Sequence, residues 1–162
     1  MSRRAFTVEE ANALLPRMRE VLHDIRGLRG EVEERSEKLQ VLDALWGTKV
    51  QEPDNPDHAE FLDLRHEVRE RIDEIEALIE EEILNRGIRF PAGGLEHGLL
   101  DFPTTYEGRW VYLCWHLGEP EVRQWHEVDA GFRGRRSLTP EQTDLMGKVD
   151  DPADVDDSVL DF

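Results

Sequence analysis

Apolar residues recur at alternating intervals of four and three along the early part of the chain. Thr7 and Glu10 precede this pattern and stand three residues apart, a spacing that favours a reciprocal helix cap. A repeat near 3.5 residues is typical of a helix that packs along one narrow face. The pattern therefore predicts a long, coiled-coil-like first helix that begins near Thr7. Its apolar stripe consists of Leu14, Met18, Val21, Ile25, Leu28, Val32, Leu39 and Leu42, interrupted at Arg35.

A second helical pattern follows a proline-rich connection that begins after Trp46. Asn55 and Pro56 form a helix-start signal, and Gly87 supplies a left-handed stop. Apolar residues between these limits repeat every eleven residues, at Phe61, Leu64, Val68, Ile72, Ile75, Ile79 and Ile83. Since this period differs from that of the first helix, the two stripes cannot match over their full length. We expect an antiparallel helical hairpin whose remaining apolar surface is covered by a second copy, giving a homodimer with a four-helix core.

After Gly87 the chain changes to alternating apolar and polar residues separated by glycine and proline, which is typical of β-strands. The predicted extended segments lie at 88–91, 94–103, 109–117 and 122–128. Pro16 inside the first helix indicates a bend that directs residues 6–15 towards this β unit. The expected fold class is therefore α+β, a long antiparallel helical hairpin followed by a small antiparallel sheet.

The 162 residues, 38% of them hydrophobic, are sufficient for a single core. We expect one domain over residues 1–136 and an acidic, flexible tail over residues 137–162. The tail would be ordered only where its apolar residues dock. These residues are Leu145, Met146, Val159, Leu160 and Phe162, and the last four positions of the chain form a candidate docking motif.

The formal net charge of −17 argues against nucleic-acid binding, because the phosphate backbone is also negative. Arginines at 133, 135 and 136 form a short basic turn. Such a turn is more typical of a solvated loop than of a phosphate-binding site. The single cysteine, Cys114, excludes an internal disulfide. Neither a signal-peptide pattern nor a run of about 20 apolar residues is present, so the sequence predicts a cytoplasmic protein without a membrane segment.

Two stretches carry a family resemblance. The first is Phe-Thr-Val-Glu-Glu-Ala-Asn-Ala-Leu-Leu-Pro at 6–16. The second combines Gly-Leu-Leu-Asp-Phe-Pro at 98–103 with Val-Tyr-Leu-Cys-Trp at 111–115, Gly-Glu-Pro at 118–120, Trp-His at 125–126 and Gly-Phe at 131–132. Together they resemble the prokaryotic family known as domain of unknown function 2203 over roughly residues 5–136. This resemblance supports a fold and implies no activity.

The β segments contain several residues that could bind a metal: Asp101, Tyr112, Cys114, His116, Glu119 and His126. Glu119 and His126 are the leading pair, with Asp101 and His116 as further ligands, because zinc, iron and manganese bind imidazole and carboxylate groups. The alternative is that His126 is a packed, hydrogen-bonded core residue.

The strand register decides which face of the hairpin carries His126. Pairing Leu117 with Val122 places His126 opposite Leu113, and a slip of one residue reverses its face. Cys114 is either a nucleophile activated by a histidine or a small buried apolar residue.

The leading functional hypothesis is a non-enzymatic interaction or scaffold protein that acts as a helical-hairpin homodimer. Long apolar stripes and an acidic surface fit this class, and the sequence shows no recognisable catalytic motif. The candidate contact residues of the β unit are Trp115, Trp125, Phe132 and Arg133. The alternative is a small metal-binding protein or metalloenzyme with its site at the β-hairpin.

Overall fold

The structure is a computed structural model that describes residues 3–160. It combines two long helices with a four-stranded antiparallel sheet, which confirms the predicted α+β class. The chain forms two compact units. One contains the residues up to Glu20 and those from Glu82 onward, and the other contains Val21–Glu81. Helix α1, Val8–Trp46, contributes to both.

The unit formed by residues 21–81 is the predicted antiparallel hairpin. Helix α2 spans His58–Leu78. Two ion pairs join α1 to α2, Arg35–Glu67 at 2.7 Å and Glu31–Arg71 at 3.8 Å. The earlier residue of α1 faces the later residue of α2, so the helices run in opposite directions.

The start of α2 differs from the prediction. The helix begins at His58 instead of directly after Asn55 and Pro56. The Asn55 side-chain oxygen accepts a hydrogen bond from the Asp57 backbone N–H at 2.9 Å. Asn55 therefore closes the preceding turn, because its side chain satisfies a backbone donor before the helix starts.

The hairpin has its best-packed core at the tip. Leu42, Val50 and Leu64 are buried there, and the Trp46 indole N–H donates to the Asp57 carboxylate at 2.8 Å. Val21 and Ile25, at the opposite end of this unit, are also buried. Other apolar residues of the two helices are only half-buried: Leu28, Val32, Leu39, Val68, Ile72, Ile75, Leu78 and Ile79. Two helices alone thus leave much of the apolar stripe in partial contact with solvent.

The sheet of the other unit has the order β1-β2-β3-β4. Its strands are Leu99–Tyr106, Arg109–His116, Gln124–Glu127 and Arg136–Ser137. The predicted segment at 88–91 contributes a single bridge between Arg89 and Asp101. Glu107 and Gly108 join β1 to β2 with φ values of 49° and 75°. Positive φ at both central residues is the geometry of a tight two-residue hairpin turn, which pairs Tyr106 with Arg109.

Residues at and just before the start of α1 contact the sheet unit, as predicted for the segment 6–15. The bend expected at Pro16 remains a prediction. Phe6 packs edge-on against Phe102 with ring centroids 5.3 Å apart. The Asn12 side-chain oxygen accepts a hydrogen bond from the Val122 backbone N–H at 2.7 Å. The predicted capping box is present, because the Thr7 N–H donates to Glu10 and the Glu10 N–H donates back to Thr7.

The segment after the sheet is held by specific contacts. Helix α3, Pro140–Leu145, ends before Met146, which is fully buried. The Gly147 N–H donates to the Thr105 carbonyl at 2.9 Å.

Leu160 is also buried, and it packs with Trp110 and Tyr112. Two of the apolar residues predicted to dock, Met146 and Leu160, are therefore buried, whereas Leu145 and Val159 are exposed. Phe162 lies outside the described residues. The flexibility of the tail and the domain boundary at 136 remain predictions.

No helix among residues 3–160 has the length and apolar character needed to cross a bilayer.

Candidate interaction groove and buried polar cluster

Three buried polar side chains meet on one face of the sheet. Asp101 on β1 lies directly opposite Cys114 on β2. His126 on β3 lies opposite Tyr112, two residues before Cys114. Side chains two residues apart on a strand share a face, so the register brings all three together. One potential ligand atom from each residue lies within 4.8 Å of the others.

Hydrogen bonds fix the orientation of the His126 ring. Nδ1 lies 2.7 Å from the Glu127 carbonyl oxygen, and Nε2 lies 3.1 Å from an Asp101 carboxylate oxygen. The carbonyl oxygen can only accept, so Nδ1 carries a proton. The other ring nitrogen, Nε2, faces the Asp101 carboxylate. His126 and Asp101 therefore form a buried pair.

The protonation of the cluster follows from its surroundings. Burial, the largest single effect on His126, lowers the pKa of its imidazole. The hydrogen bond and charge of Asp101, together with the hydrogen bond to the Glu127 carbonyl, outweigh burial, so the pKa is raised overall. Burial, followed by the nearby charge of Asp101, raises the pKa of the Cys114 thiol to about 12. Near neutral pH, Cys114 is therefore a protonated thiol.

This arrangement does not support Cys114 as a nucleophile. A catalytic cysteine needs a thiolate and an adjacent base. The thiol is protonated, and both His126 nitrogens already face oxygen atoms. The buried-residue alternative for Cys114 describes the geometry better.

The structure places the predicted metal ligands in two different environments. Asp101 and His126 belong to the three-residue cluster, whereas Glu119 and His116 do not. The Glu119 carboxylate pairs with Arg135 at 2.6 Å and accepts the His116 backbone N–H at 2.6 Å. Glu119 thus closes the turn after β2, because its charge is engaged by an arginine.

The strand register answers the question that the sequence left open. His126 pairs with Tyr112, and Trp125 pairs with Leu113. This register is shifted by one residue from the one that would pair Leu117 with Val122. The sequence interpretation grouped Cys114 with these residues without making it a leading ligand. The signal that would have found it is the Glu107–Gly108 turn, because pairing Tyr106 with Arg109 places Asp101 opposite Cys114.

The four predicted contact residues of the β unit are also divided. Trp115 and Trp125 are 0% and 2% exposed, so neither ring is available on the surface. Both rings lie on the face of the sheet opposite the polar cluster, and both faces are buried at these positions. Phe132 is 45% exposed and carries the Arg135 guanidinium 4.7 Å from its ring centroid. Arg133 is exposed.

A groove of about 630 Å³ runs along the helical hairpin. Its apolar floor contains Leu28, Ala77 and Leu78. Its charged lining consists of Asp24, Glu31, Glu74 and Glu81, with His23 beside them. No lysine or arginine lines it. The groove therefore combines apolar surface with a concentrated negative potential.

Glycine opens part of this groove. Gly27 lies in the lining, and Gly30 follows one turn later on α1. A Cβ atom at either position would have no neighbouring heavy atom within 4 Å. Packing within the described chain therefore gives no reason for these glycines, although glycine in a helix interior costs about 1 kcal/mol relative to alanine.

A second apolar surface lies elsewhere on the hairpin. Its lining consists of Leu39, Leu62, Arg65, His66, Val68, Arg69 and Ile72. The α2 residues of the two surfaces are offset by about 12 positions, or about 120° around the helix axis. Arg69 pairs with Asp73 at 3.4 Å, and His66 pairs with Glu70. The charges on this surface are thus partly balanced within α2.

Comparison with known proteins supports the family resemblance. No curated protein and no solved structure matches the chain significantly. Residues 4–138 match a family profile described as an uncharacterized conserved protein, DUF2203. Because the match covers most of the chain, this protein belongs to the DUF2203 family.

Proposed function

We propose that this chain is a non-enzymatic interaction protein whose hairpin groove binds a basic amphipathic helix of a partner protein. The observation that carries the proposal is an apolar groove lined by four carboxylates and opened by Gly27. A helix with leucines on one face and lysines or arginines beside them matches both its shape and its charge.

The charges in the groove favour this partner over a second copy bound at the same place. Glu31 is engaged by Arg71 at 3.8 Å. Asp24, Glu74 and Glu81 supply further negative charge around the apolar floor. Two such grooves facing each other would bring like charges together, which opposes association. A basic helix would bring opposite charge to the same positions.

The predicted homodimer fits the second apolar surface better. Arg69 and His66 there contact carboxylates on α2, so two identical surfaces would meet with less repulsion than two grooves lined by carboxylates. Leu62 there is 47% exposed. We therefore place the proposed contact between copies at this surface and the foreign helix in the groove.

The groove proposal is tested with a labelled synthetic helix of leucine and lysine, using a leucine–glutamate helix as the control peptide. Fluorescence anisotropy on the full chain should show binding of the lysine helix only. Neutralising Asp24, Glu74 and Glu81 as Asp24→Asn, Glu74→Gln and Glu81→Gln should weaken binding roughly tenfold, since each exposed ion pair contributes about 0.2–1 kcal/mol.

The matched control removes the same number of charges from exposed positions outside both surfaces, as Asp54→Asn, Glu60→Gln and Asp63→Asn. It should change the affinity less than twofold. Equal weakening by both triple variants would mean attraction to the whole acidic protein and would overturn the groove assignment. Light scattering tests the dimer separately. Ile72→Glu should convert a dimer to a monomer, and a monomeric wild-type chain would contradict the predicted association.

A further inference from the structure

We propose that Asp101, Cys114 and His126 form a zinc-binding site that supplies one carboxylate, one thiolate and one imidazole ligand. This inference is independent of the hairpin function. The site consists of the three residues that the sheet brings together. It differs from the Glu119–His126 pair that the sequence predicted as the leading ligands. Three protein ligands leave one position of a tetrahedral ion for water or another small donor.

The sheet gives the site its geometry. Asp101 and Cys114 are direct cross-strand partners, and His126 comes from the neighbouring strand. Zinc ligands at typical bond lengths lie roughly 3.3–3.8 Å from one another. The donor atoms of the cluster already lie within 4.8 Å. Small side-chain rotations on three hydrogen-bonded strands would complete the site without any change in the backbone pairing.

His126 is oriented as a metal ligand. Its Nδ1–H donates to the Glu127 carbonyl at 2.7 Å, which leaves Nε2 directed at Asp101. A histidine that binds zinc through one nitrogen commonly donates its other N–H to a carbonyl or carboxylate. The Glu127 carboxylate is itself held by Arg109 at 2.5 Å, so the residue that orients the imidazole is also fixed.

The charges of the cluster suit a divalent ion. A divalent ion replaces the proton on the Cys114 Sγ, and the resulting thiolate and the Asp101 carboxylate balance its two positive charges. The occupied site is therefore neutral overall, which limits the cost of burial. Binding releases the thiol proton and requires no oxidant or reductant.

Two further charged groups lie near the cluster. Arg135 lowers the pKa values of both Cys114 and His126, and Glu119 raises that of Cys114. Arg135 and Glu119 are paired with each other. The Tyr112 ring packs 5.5 Å from the His126 ring and covers one side of the site.

The donor set favours zinc over manganese, magnesium and calcium. Thiolate favours zinc over manganese and magnesium, which prefer oxygen ligands. A mixed sulfur, nitrogen and oxygen set of three ligands is typical of tetrahedral zinc. Cobalt(II) occupies similar sites, and a thiolate bound to it gives a charge-transfer absorption band.

The test uses the full chain purified without a polyhistidine tag. We expect one equivalent of zinc by elemental analysis, or one equivalent bound when zinc alone is added to the chelator-treated protein. Cobalt(II) should produce a thiolate charge-transfer band that zinc abolishes. Binding near neutral pH should release at least the Cys114 thiol proton for each ion bound.

Variants separate the site from its surroundings. Cys114→Ala and Asp101→Asn should each weaken zinc binding by roughly 100-fold or more, because even residues that only orient ligands contribute about 10–100-fold. His116→Ala and Glu119→Gln are matched controls from the same hairpin and should retain one equivalent. Circular dichroism confirms that every variant is folded.

Several outcomes would overturn the proposal. A folded wild-type chain that binds neither zinc nor cobalt at micromolar concentrations would show that the cluster is only a hydrogen-bonded network. Undiminished zinc binding by folded Cys114→Ala would exclude the thiolate ligand. Loss of zinc only in Glu119→Gln would return the site to the turn after β2.

Discussion

Replacing the two interior glycines of α1 should stabilise the protein. Gly27 and Gly30 are helical, and a Cβ at either position would meet no heavy atom within 4 Å. Alanine loses less conformational entropy than glycine on folding, so each replacement should contribute about 1 kcal/mol. The double variant should gain about 2 kcal/mol. For a chain of this size, that gain corresponds to roughly 4–8 °C in melting temperature.

Gly147→Ala provides the contrasting case. Its φ is +74°, and an added Cβ would lie 2.5 Å from the Phe6 carbonyl oxygen. The left-handed conformation alone costs a non-glycine residue roughly 1–2 kcal/mol, and the clash adds to that. The same substitution should therefore raise stability at Gly27 and Gly30 and lower it at Gly147.

Urea unfolding of the full chain, followed by far-ultraviolet circular dichroism, measures these changes. The stabilised variants should shift the midpoint upward with an unchanged slope. A loss of stability in Gly27→Ala would refute the reasoning, because something would then occupy the space beside Gly27. If that loss grew with protein concentration, the occupant would be a second copy.

Two further predictions concern the other unit. Thr7→Ala should lower the unfolding free energy by about 1 kcal/mol, since Thr7 caps the Glu10 N–H; Thr48→Ala at an exposed position should leave the urea midpoint unchanged. In metal-free protein, the raised pKa of His126 should give stability that is fully present below about 6.5 and lost as pH rises through the folded value. Asp101→Asn should flatten this part of the pH profile in thermal unfolding, because the imidazole loses the carboxylate that favours its protonation. Arg135 still opposes protonation of the ring in this variant. An unchanged profile would contradict the pairing of His126 with Asp101.

The sequence predicted the large elements well because their patterns are local. The cap at Thr7 and the stripe of α1 depend on residues three or four positions apart. Spacings this short can be read directly from the sequence. The strand at 109–117 is equally clear and is observed at Arg109–His116. The end of α2 is less regular, since Ile79–Ile83 forms a π-helical turn before the stop at Gly87.

The polar cluster was harder to predict because it depends on strand register. A shift of one residue between β2 and β3 changes the face of His126. The position of Glu119 in a turn suggests a carboxylate that is free to bind a metal ion. Arg135, which lies close in space, pairs with that carboxylate instead. The residue type alone does not decide whether Trp115 and Trp125 lie on the surface or in the core. Only the packing of the whole sheet places them inside.

The contacts of Met146 and Gly147 bear on how the protein can be shortened. The family match ends at residue 138, yet Met146 is fully buried and the Gly147 N–H bonds to β1 through Thr105. A chain cut at residue 138 would leave the Thr105 carbonyl without its donor and expose apolar surface that Met146 now covers. The segment of this chain that matches the family profile is therefore shorter than the part that folds with the sheet.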